Sequence, residues 1–325
     1  MSDRRCIYLE RAFWDEFTER FHKLLSSVDE STLDDVITCK DMNTFITHSD
    51  ITVDCTLNEF SSAAQSNINL QLLWKKKANG ECNIEFHDKS FTEVDSMLSM
   101  NPLMVLFTKE DRGSSAGKYG VININMDNVI SKRHYFKDNG TGVKNGENWD
   151  WETFRGYASE AANSLVIVDN YIFKGDLRSN LYKILDIVLP KKLSIPFHIT
   201  IFYIESKPGA EEKLKEYIKR IRPDLDVMIE FVKTCKDANN SFKTDFHDRA
   251  LISNNIWIDS GAGFNILKQD RLHYKSDKST TIRAAHLFFA SRYLNWINSA
   301  TSNLIEDARE TLKRNNILTK NRLLK

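Results

Sequence analysis

An alternation of short apolar runs and amphipathic segments in the second half of the chain constrains its fold more than any other feature. Residues 164–169, 197–204 and 227–231 are rich in apolar and β-branched residues and have the length of buried strands. Between them, residues 177–188 and 211–221 place apolar residues at helical spacing. This order predicts a βαβαβ unit with right-handed crossovers. Such sheets bind ligands at the carboxyl ends of their strands.

The first half of the chain predicts a smaller domain of a different class. Residues 7–28 place large aromatic residues at helical spacing, which predicts an amphipathic helix. Residues 68–72 and 82–86 alternate apolar and polar side chains on either side of Asn79-Gly80, which is a hairpin signal. Two further strand candidates are residues 103–107 and 121–126. We therefore expect an α+β domain with an antiparallel sheet.

A glycine-rich segment separates the two patterns. Residues 137–148 contain three glycines and only one large apolar residue, Val143, which is typical of a linker or a long loop. We expect an N-terminal α+β domain of unknown role at residues 1–148 and an α/β domain at residues 149–325. Two helices, at residues 281–298 and 300–315, are expected to close the chain. The basic tail from residue 309 to 325 is interpreted as a solvated helix end, with phosphate contacts as the alternative.

The overall composition excludes several classes of protein. Lys and Arg number 45, as do Asp and Glu, so any nucleic-acid or lipid surface must be a local patch. The five cysteines are scattered and include no Cys-x-x-Cys, which favours reduced thiols over a disulfide framework. The histidines and cysteines lack metal-ligand spacing, and no cofactor is expected. The sequence shows neither a signal peptide nor a long apolar run, so we predict a cytoplasmic protein without a transmembrane segment.

Residues 246–265 carry the polar pattern that is most characteristic of a site. His247 and Arg249 lie one residue apart, and Asn254 follows Arg249 after four residues. A turn of small residues then ends at Asn265. An imidazole that is oriented by a hydrogen bond can attack phosphorus, and an arginine can bind phosphate oxygens with two donors. Asp169 ends the first predicted strand and is a further candidate ligand-binding residue.

Each of these residues also has a purely structural interpretation. His247 and Arg249 can form a polar pair at the start of a strand. Asn254 is more often a turn residue than a ligand-binding one. The carboxylate of Asp169 can cap Tyr171 and its neighbours without any contact to a ligand.

The order of elements and this stretch together resemble the phospholipase D superfamily. Its motif reads His-x-Lys, four residues and Asp, followed by a Gly-Ser or Gly-x-Asn turn on the next strand. The matching positions are His247, Arg249, Asn254 and Asn265, so Arg replaces Lys and Asn replaces Asp. The single degenerate motif is closest in style to the phospholipase D-like domain found behind MIT domains in eukaryotic proteins. That branch kept the fold and binds phosphoinositide headgroups. The resemblance covers roughly residues 151–267.

These substitutions favour binding over turnover. An amide at Asn254 cannot stabilise an imidazolium by charge, and the same change in a serine-protease triad lowers the rate by about four orders of magnitude. Arg249 remains cationic and suits phosphate oxygens. We therefore expect a degenerate site that binds a phosphate-bearing ligand, with nucleic acid or a nucleotide favoured. Its ligand-binding residues are expected to be His247, Arg249, Asn254, Asn265 and Asp169.

Two alternatives remain open. The first is an active, metal-independent phosphodiesterase or nuclease with His247 as the catalytic nucleophile. Because one motif supplies half a site, either this activity or a symmetric phosphate pocket implies a homodimer. The second is a protein-interaction module with a vestigial site that binds its partner through the N-terminal domain. The fold likeness also suggests an accessory protein of a bacterial defence or mobile-element system.

Overall fold

The chain folds into two compact α/β units. The computed structural model describes residues 6–47, 49–66, 68–79, 83–87, 94–100, 103, 105–131, 139–143, 149–158, 161–234, 249–261, 263–268, 271–272, 280–286 and 294–325. Unit 1 comprises Met1–Lys137 and Phe288–Leu294, and unit 2 comprises Asp138–Leu287 and Asn295–Lys325. None of the helices in these described segments is long and apolar enough to cross a membrane.

Unit 1 is built on a parallel sheet flanked by helices. The strands are β1 (Cys6–Leu9), β2 (Asp50–Val53), β3 (Ile84–Phe86), β4 (Val105–Thr108) and β5 (Asn123–Asn125). The helices are α1 (Arg11–Ser26), α2 (Leu33–Thr47), α3 (Leu57–Ala64), α4 (Ile68–Ala78), α5 (Val94–Met100) and α6 (Gly113–Gly117). The sheet has the order β3-β2-β1-β4-β5, and each neighbouring pair is parallel.

The prediction of an antiparallel sheet and a hairpin for this half of the chain is wrong. Residues 68–72 begin helix α4, in which Leu70 and Leu73 are buried. The backbone N–H of Asn79 donates to the carbonyl of Lys75 in the turn that ends this helix. Alternation over five residues was too short a pattern to distinguish a strand from a helix, and helix-forming residues continue the segment through Ala78. All four residues of β4 are buried, as in parallel sheets with both faces covered.

The first predicted helix begins later than expected. Residues 6–9 form the central strand β1, and α1 starts at Arg11. The large aromatic residues at helical spacing are buried in α1, as expected of an amphipathic helix. These buried aromatic residues are Phe13, Trp14, Phe17 and Phe21.

Unit 2 contains a mixed sheet of seven strands among the described residues. Its strands are β6 (Asn139–Val143), β7 (Ser164–Val168), β8 (Phe197–Tyr203), β9 (Val227–Lys233), β10 (Ala250–Ser253), β11 (Ile256–Ser260) and β14 (Thr280–His286), and a separate pair is β12 (Leu267–Lys268) with β13 (Arg271–Leu272). The helices are α7 (Arg155–Ala158), α8 (Lys183–Val188), α9 (Ala210–Ile221) and α10 (Leu294–Arg314), with a 3-10 helix at Trp151–Phe154 and a π-helix at Arg178–Tyr182.

The predicted βαβαβ run is present as β7, α8, β8, α9 and β9. Both strand pairs in this run are parallel, and all five residues of β7 and all seven of β8 are buried. The sheet has the order β6-β14-β11-β10-β7-β8-β9. From β7 towards β6, each neighbouring pair is antiparallel.

Two segments near the ends of this unit differ from expectation. Residues 139–143, predicted to belong to a linker, form β6 and pair with β14. Residues 281–286, predicted to begin a helix, lie in the strand β14 (Thr280–His286). Ile282 and Ala284 are both buried there, and this spacing of two is that of a strand rather than a helix. Residues 300–315 are helical as predicted, within the longer helix α10 and the turn after it.

The end of the chain packs against the sheet, although Lys313, Arg314, Lys320 and Lys325 in this basic tail are exposed, as expected. The side chain of Asn321 is 1% exposed and donates to the carbonyl of Leu165 at 2.9 Å and to Oγ1 of Thr200 at 3.0 Å. The guanidinium of Arg322 donates to the carbonyl of Pro196 at 2.9 Å and to Nδ1 of His198 at 3.2 Å. These bonds tie the tail to β7 and β8.

The buried His198 is expected to make the fold sensitive to acid. Burial and the charge of Arg322 lower the pKa of His198 from 6.5 to about 4. As the pH falls from about 6.5 towards 4, this histidine gains a proton in the unfolded chain before it does in the folded one. The free energy of unfolding should therefore fall over this range, by on the order of 1–3 kcal/mol from this group.

The measurement is urea-induced unfolding at pH 7, 6, 5 and 4 for the wild type and for His198→Asn. Asparagine does not titrate but retains an acceptor for Arg322. The variant should therefore lose less stability than the wild type as the pH falls. Equal losses in the two proteins would show that His198 does not carry this acid sensitivity.

Candidate functional site

Several of the residues predicted to form a site meet at one edge of the unit 2 sheet. Asp169 follows the last residue of β7. Arg249 precedes β10, whose first residue pairs with the last residue of β7, so Arg249 lies at the same edge. Residues 261–265 follow the end of β11, and the backbone N–H of Ser260 donates to the carbonyl of Arg249. This edge is the carboxyl end of the parallel strands β7 and β8.

Asp169 joins the loop after β7 to the turn after β11. Its side chain is almost fully buried, with Oδ1 accepting from the backbone N–H of Tyr171 at 2.9 Å and Oδ2 accepting from that of Phe264 at 2.8 Å. Burial raises the pKa of the Asp169 carboxyl, while these two donors and the charge of Arg249 act in the opposite direction. The bond to Tyr171 is the one expected of a capping residue, and the bond to Phe264 was not predicted.

Arg249 has hydrogen-bonding capacity that the described part of the protein does not use. Its guanidinium lies 5.9 Å from the centre of the Tyr171 ring, and it donates one long hydrogen bond, 3.4 Å, to the carbonyl of Gly261. No carboxylate among the described residues forms an ion pair with it within 4.0 Å. Because a guanidinium has five N–H donors, Arg249 can bind an anion without breaking its contacts with the described residues.

Asn265 contacts the backbone of Tyr171. Its side-chain amide donates to the carbonyl of Tyr171. Its Oδ1 is buried without a hydrogen-bond partner among the described residues, and it lies so close to Gly175 that no Cβ fits there. Tyr171 therefore links Asn265 to Arg249, and Lys174 lies 5.0 Å from the centre of the same ring.

Asn254 does not join this cluster, although it was expected to bind the ligand. It follows β10 at the opposite end of that strand from Arg249, about 16 Å away along five residue steps of extended chain. Its Oδ1 accepts from the backbone N–H groups of Asn163 and Ser164, both at 3.0 Å, and its Nδ2 donates to Oδ1 of Asn163 at 2.9 Å. In this structure Asn254 holds the turn between β10 and β11. The predicted nucleophile His247 lies outside the described residues.

Gly263 permits the close packing of the cluster, and its replacement by alanine should disrupt it. Its φ of +84° is in the left-handed region, and a Cβ would lie 2.9 Å from Oδ2 of Asp169 and 3.0 Å from Cδ of Arg249. Gly263→Ala combines backbone strain with a clash against a buried carboxylate. We expect a loss of about 2–4 kcal/mol in the free energy of unfolding.

Urea-induced unfolding measures this loss of stability. Two other glycines serve as controls that separate the backbone strain from the clash. Gly209 has a φ of +71° but open space around its Cβ position, so Gly209→Ala should lose only about 1 kcal/mol. Gly261 lies in the same turn as Gly263, with nothing within 4 Å of its Cβ position, so Gly261→Ala should be close to neutral. Equal effects of the three substitutions would show that Gly263 has no special role.

A basic groove opens beside this cluster, with a volume of about 1210 Å³. Asn265 lies in its wall, together with residues from the loops after β7 and β8, the π-helix and helix α9. Six cationic side chains line it against only two acidic ones, Asp176 and Glu216. The cationic residues of the basic groove are Lys174, Arg178, Lys207, Lys213, Arg220 and Lys268.

Most of these cationic side chains have no ion-pair partner in the part of the chain that the structure describes. Lys174 forms an ion pair with Glu205. By contrast, no carboxylate among the described residues pairs with Arg178, Lys213 or Arg220 within 4.0 Å. Asp176 uses its carboxylate to cap the π-helix, accepting from the backbone N–H of Arg178 at 3.1 Å and from the hydroxyl of Ser179 at 2.8 Å. The basic groove therefore presents a positive field to solvent.

Buried Asn180 fixes one wall of the basic groove. Its Nδ2 donates to the carbonyls of Leu267 at 2.7 Å and Asp176 at 2.8 Å. Its Oδ1 accepts from the backbone N–H of Leu267 at 2.9 Å and from Nε1 of Trp151 at 3.2 Å. Leu267 lies between Asn265 and Lys268 in the sequence, so Asn180 positions the chain that carries both.

Two patterns in the sequence indicate the basic groove, but the prediction of the site used only the motif in residues 246–265. Lys174 and Lys207 follow two consecutive parallel strands, and the carboxyl ends of such strands meet at one edge. In helix α9, Lys213, Tyr217 and Arg220 recur at intervals of four and three residues and so share a face. The contacts of Asn180 could not be read in this way, because its partners are distant in the sequence.

No protein-family model matches the chain, and no curated protein matches it either. Among the described residues, no group of three histidine, cysteine, aspartate or glutamate side chains could hold a metal ion. The interpretation of the site therefore rests on the geometry of its own residues.

Proposed function

We propose that unit 2 binds a phosphate-bearing ligand in the basic groove, with nucleic acid as the favoured class. The observation that carries this proposal is the excess of cationic over acidic side chains around an open groove at the carboxyl edge of a parallel sheet. Ligands of α/β sheets bind at this edge. Lysine and arginine side chains supply most of the affinity for phosphate groups.

Arg249 is proposed as a second phosphate ligand beside the basic groove. It lies at the same edge of the sheet, and its guanidinium has donors that the described residues do not occupy. Arg249 and Lys174, which lines the basic groove, both lie against the ring of Tyr171. A ligand with more than one phosphate could therefore contact the basic groove and Arg249 together. The likeness of the motif to the phospholipase D superfamily supports the same location.

The contacts of Asn254 favour binding of the ligand without turnover. The amide at this position serves the turn between β10 and β11, remote from Arg249. It is therefore not placed to orient a nucleophile at the carboxyl edge of the sheet. The position of Asn254, rather than its lack of charge, is therefore what favours binding over turnover.

A titration at several salt concentrations tests the proposal. The probe is a fluorescein-labelled single-stranded DNA of 12 nucleotides, followed by anisotropy between 50 and 200 mM salt. If three to five phosphates contact cations of the protein, the logarithm of the association constant should fall with the logarithm of salt with a slope of about −2 to −3.5. No binding, or binding that is independent of salt, would contradict the proposal.

The same samples distinguish a binder from an enzyme. Hydrolysis of the probe is followed in EDTA, in parallel for the wild type and His247→Ala. We expect the wild type to bind the probe and leave it intact. Cleavage that disappears in His247→Ala would identify an active phosphodiesterase, which would need a second copy of the chain to complete its site.

A further inference from the structure

Two tyrosines form a rigid aromatic surface in the wall of the basic groove. Tyr182 ends the π-helix and Tyr217 lies in helix α9. Their ring centres are 3.9 Å apart with an interplanar angle of 11°, so the rings are stacked face to face. The hydroxyl of Tyr217 donates to the backbone carbonyl of Tyr182 at 3.2 Å, which fixes the pair. Both side chains are only partly buried, and both line the groove.

Cations surround this aromatic pair. The guanidinium of Arg220 lies 5.3 Å from the centre of the Tyr217 ring. Arg178 lies in the same π-helix as Tyr182, and Lys213 lies one turn before Tyr217 on the same face of α9. From Lys213 to Arg220 the helix rises about 10 Å, so the positive charge extends along the groove rather than converging on one point.

This combination is specific in its chemistry. Cations alone attract any polyanion, whereas an aromatic ring with an open face offers a flat surface to another planar ring. Each tyrosine covers one face of the other, and Arg220 lies over the remaining face of Tyr217, so the outer face of Tyr182 is the one that can take a further ring. The volume of the basic groove, about 1210 Å³, exceeds the roughly 300–1,000 Å³ of most small-molecule pockets. An aromatic surface within an extended positive groove is the arrangement that binds single-stranded nucleic acid through its backbone and its unpaired bases.

We propose that the basic groove takes single-stranded nucleic acid, with its phosphates along Arg178, Lys213 and Arg220 and an unpaired base on the outer face of Tyr182, which Tyr217 supports from the other side. This inference rests on the proposed function and adds to it the requirement for an exposed base. Duplex nucleic acid, inositol phosphates and acidic peptides supply negative charge but not an unpaired base.

The test compares three probes of eight nucleotides that carry the same label. They are a single-stranded DNA, the same backbone with every base removed, and a blunt duplex. The wild type should bind the intact strand about 10-fold to 100-fold more tightly than the abasic strand. It should also bind the intact strand more tightly than the duplex. This comparison needs no variant, so it does not depend on whether a substituted protein folds.

Substitutions then locate the stacking surface. Tyr182→Leu and Tyr217→Leu should each weaken binding of the intact strand towards the abasic level and leave abasic binding unchanged. Tyr217→Phe keeps the ring and should retain most of the affinity. Tyr119→Leu in unit 1 is the control and should behave as the wild type. Intact binding that survives the leucine substitutions in folded proteins would overturn the assignment of the base to these rings.

The outcomes separate this inference from the proposed function. Equal, salt-dependent binding of intact and abasic strands would overturn the base contact while leaving a phosphate-binding groove. Tighter binding of the duplex than of the single strand would also overturn it. No binding of any probe would contradict both the inference and the proposed function.

Discussion

Replacing Arg178 and Lys213 together by glutamate is expected to weaken binding of the labelled single-stranded oligonucleotide on the order of 100-fold at about 100 mM salt. Both side chains are exposed, line the basic groove and lack ion-pair partners among the described residues, so their substitution should leave the fold intact. The substitutions remove two phosphate contacts and introduce two negative charges. The slope of binding against salt should become shallower by about 1.4, because each lost contact contributes about 0.7 on a single strand.

A matched pair of lysines controls for the change in net charge. Lys191 and Lys192 are also exposed and belong to unit 2, but they lie between α8 and β8, at the amino end of that strand. Lys191→Glu with Lys192→Glu changes the net charge by the same amount away from the basic groove. We expect less than a threefold effect on binding, since exposed charges beyond a Debye length are largely screened. A similar loss in both double variants would show that binding depends on overall charge rather than on the basic groove.

The second large effect is expected from Asn180→Ala, which should destabilise the protein by about 3–5 kcal/mol. The side chain is fully buried and takes part in four hydrogen bonds. Alanine would leave the backbone N–H and carbonyl of Leu267 and the indole N–H of Trp151 without these partners, in a region closed to water. The chain that carries Asn265 and Lys268 would also lose its anchor, so binding of the oligonucleotide should weaken.

Urea-induced unfolding followed by circular dichroism measures this destabilisation. Asn315→Ala is the control, because Asn315 is exposed and its side chain donates a single hydrogen bond among the described residues, to the carbonyl of Thr311. We expect Asn315→Ala to lose less than about 1 kcal/mol. If Asn180→Ala were no more harmful than Asn315→Ala, the proposed anchoring of the groove wall would be wrong.

The βαβαβ run could be predicted because its signals are local. The apolar runs of β7 and β8 are buried on both faces, and helix α9 ends at Ile221, immediately before Arg222-Pro223. Unit 1 could not be predicted in the same way. Its strands are three or four residues long, and the short central strand β1 adjoins an aromatic helix whose pattern extends over it. Periodicity over so few residues does not distinguish a strand from a helical turn.

Only part of the candidate site could be predicted, namely the residues whose positions follow from the order of the strands. Asp169, Arg249 and Asn265 are brought together by strand order, which the βαβαβ run and the motif together imply. Asn254 was misplaced because a sequence motif gives spacing along the chain, whereas a strand of four residues carries its two ends to opposite edges of a sheet. The tyrosine pair depends on the packing of two helices that are 35 residues apart in sequence at the point of contact. No local pattern encodes that contact.

Hydrogen–deuterium exchange with and without saturating single-stranded oligonucleotide reports where the ligand binds. We predict slower exchange in three segments of unit 2, namely residues 171–182, 207–221 and 261–268, which contain the basic groove and the turn beside Arg249. We expect no comparable change in residues 6–131. Slower exchange confined to unit 1, or to parts of unit 2 away from these segments, would contradict the assignment of the basic groove as the ligand site.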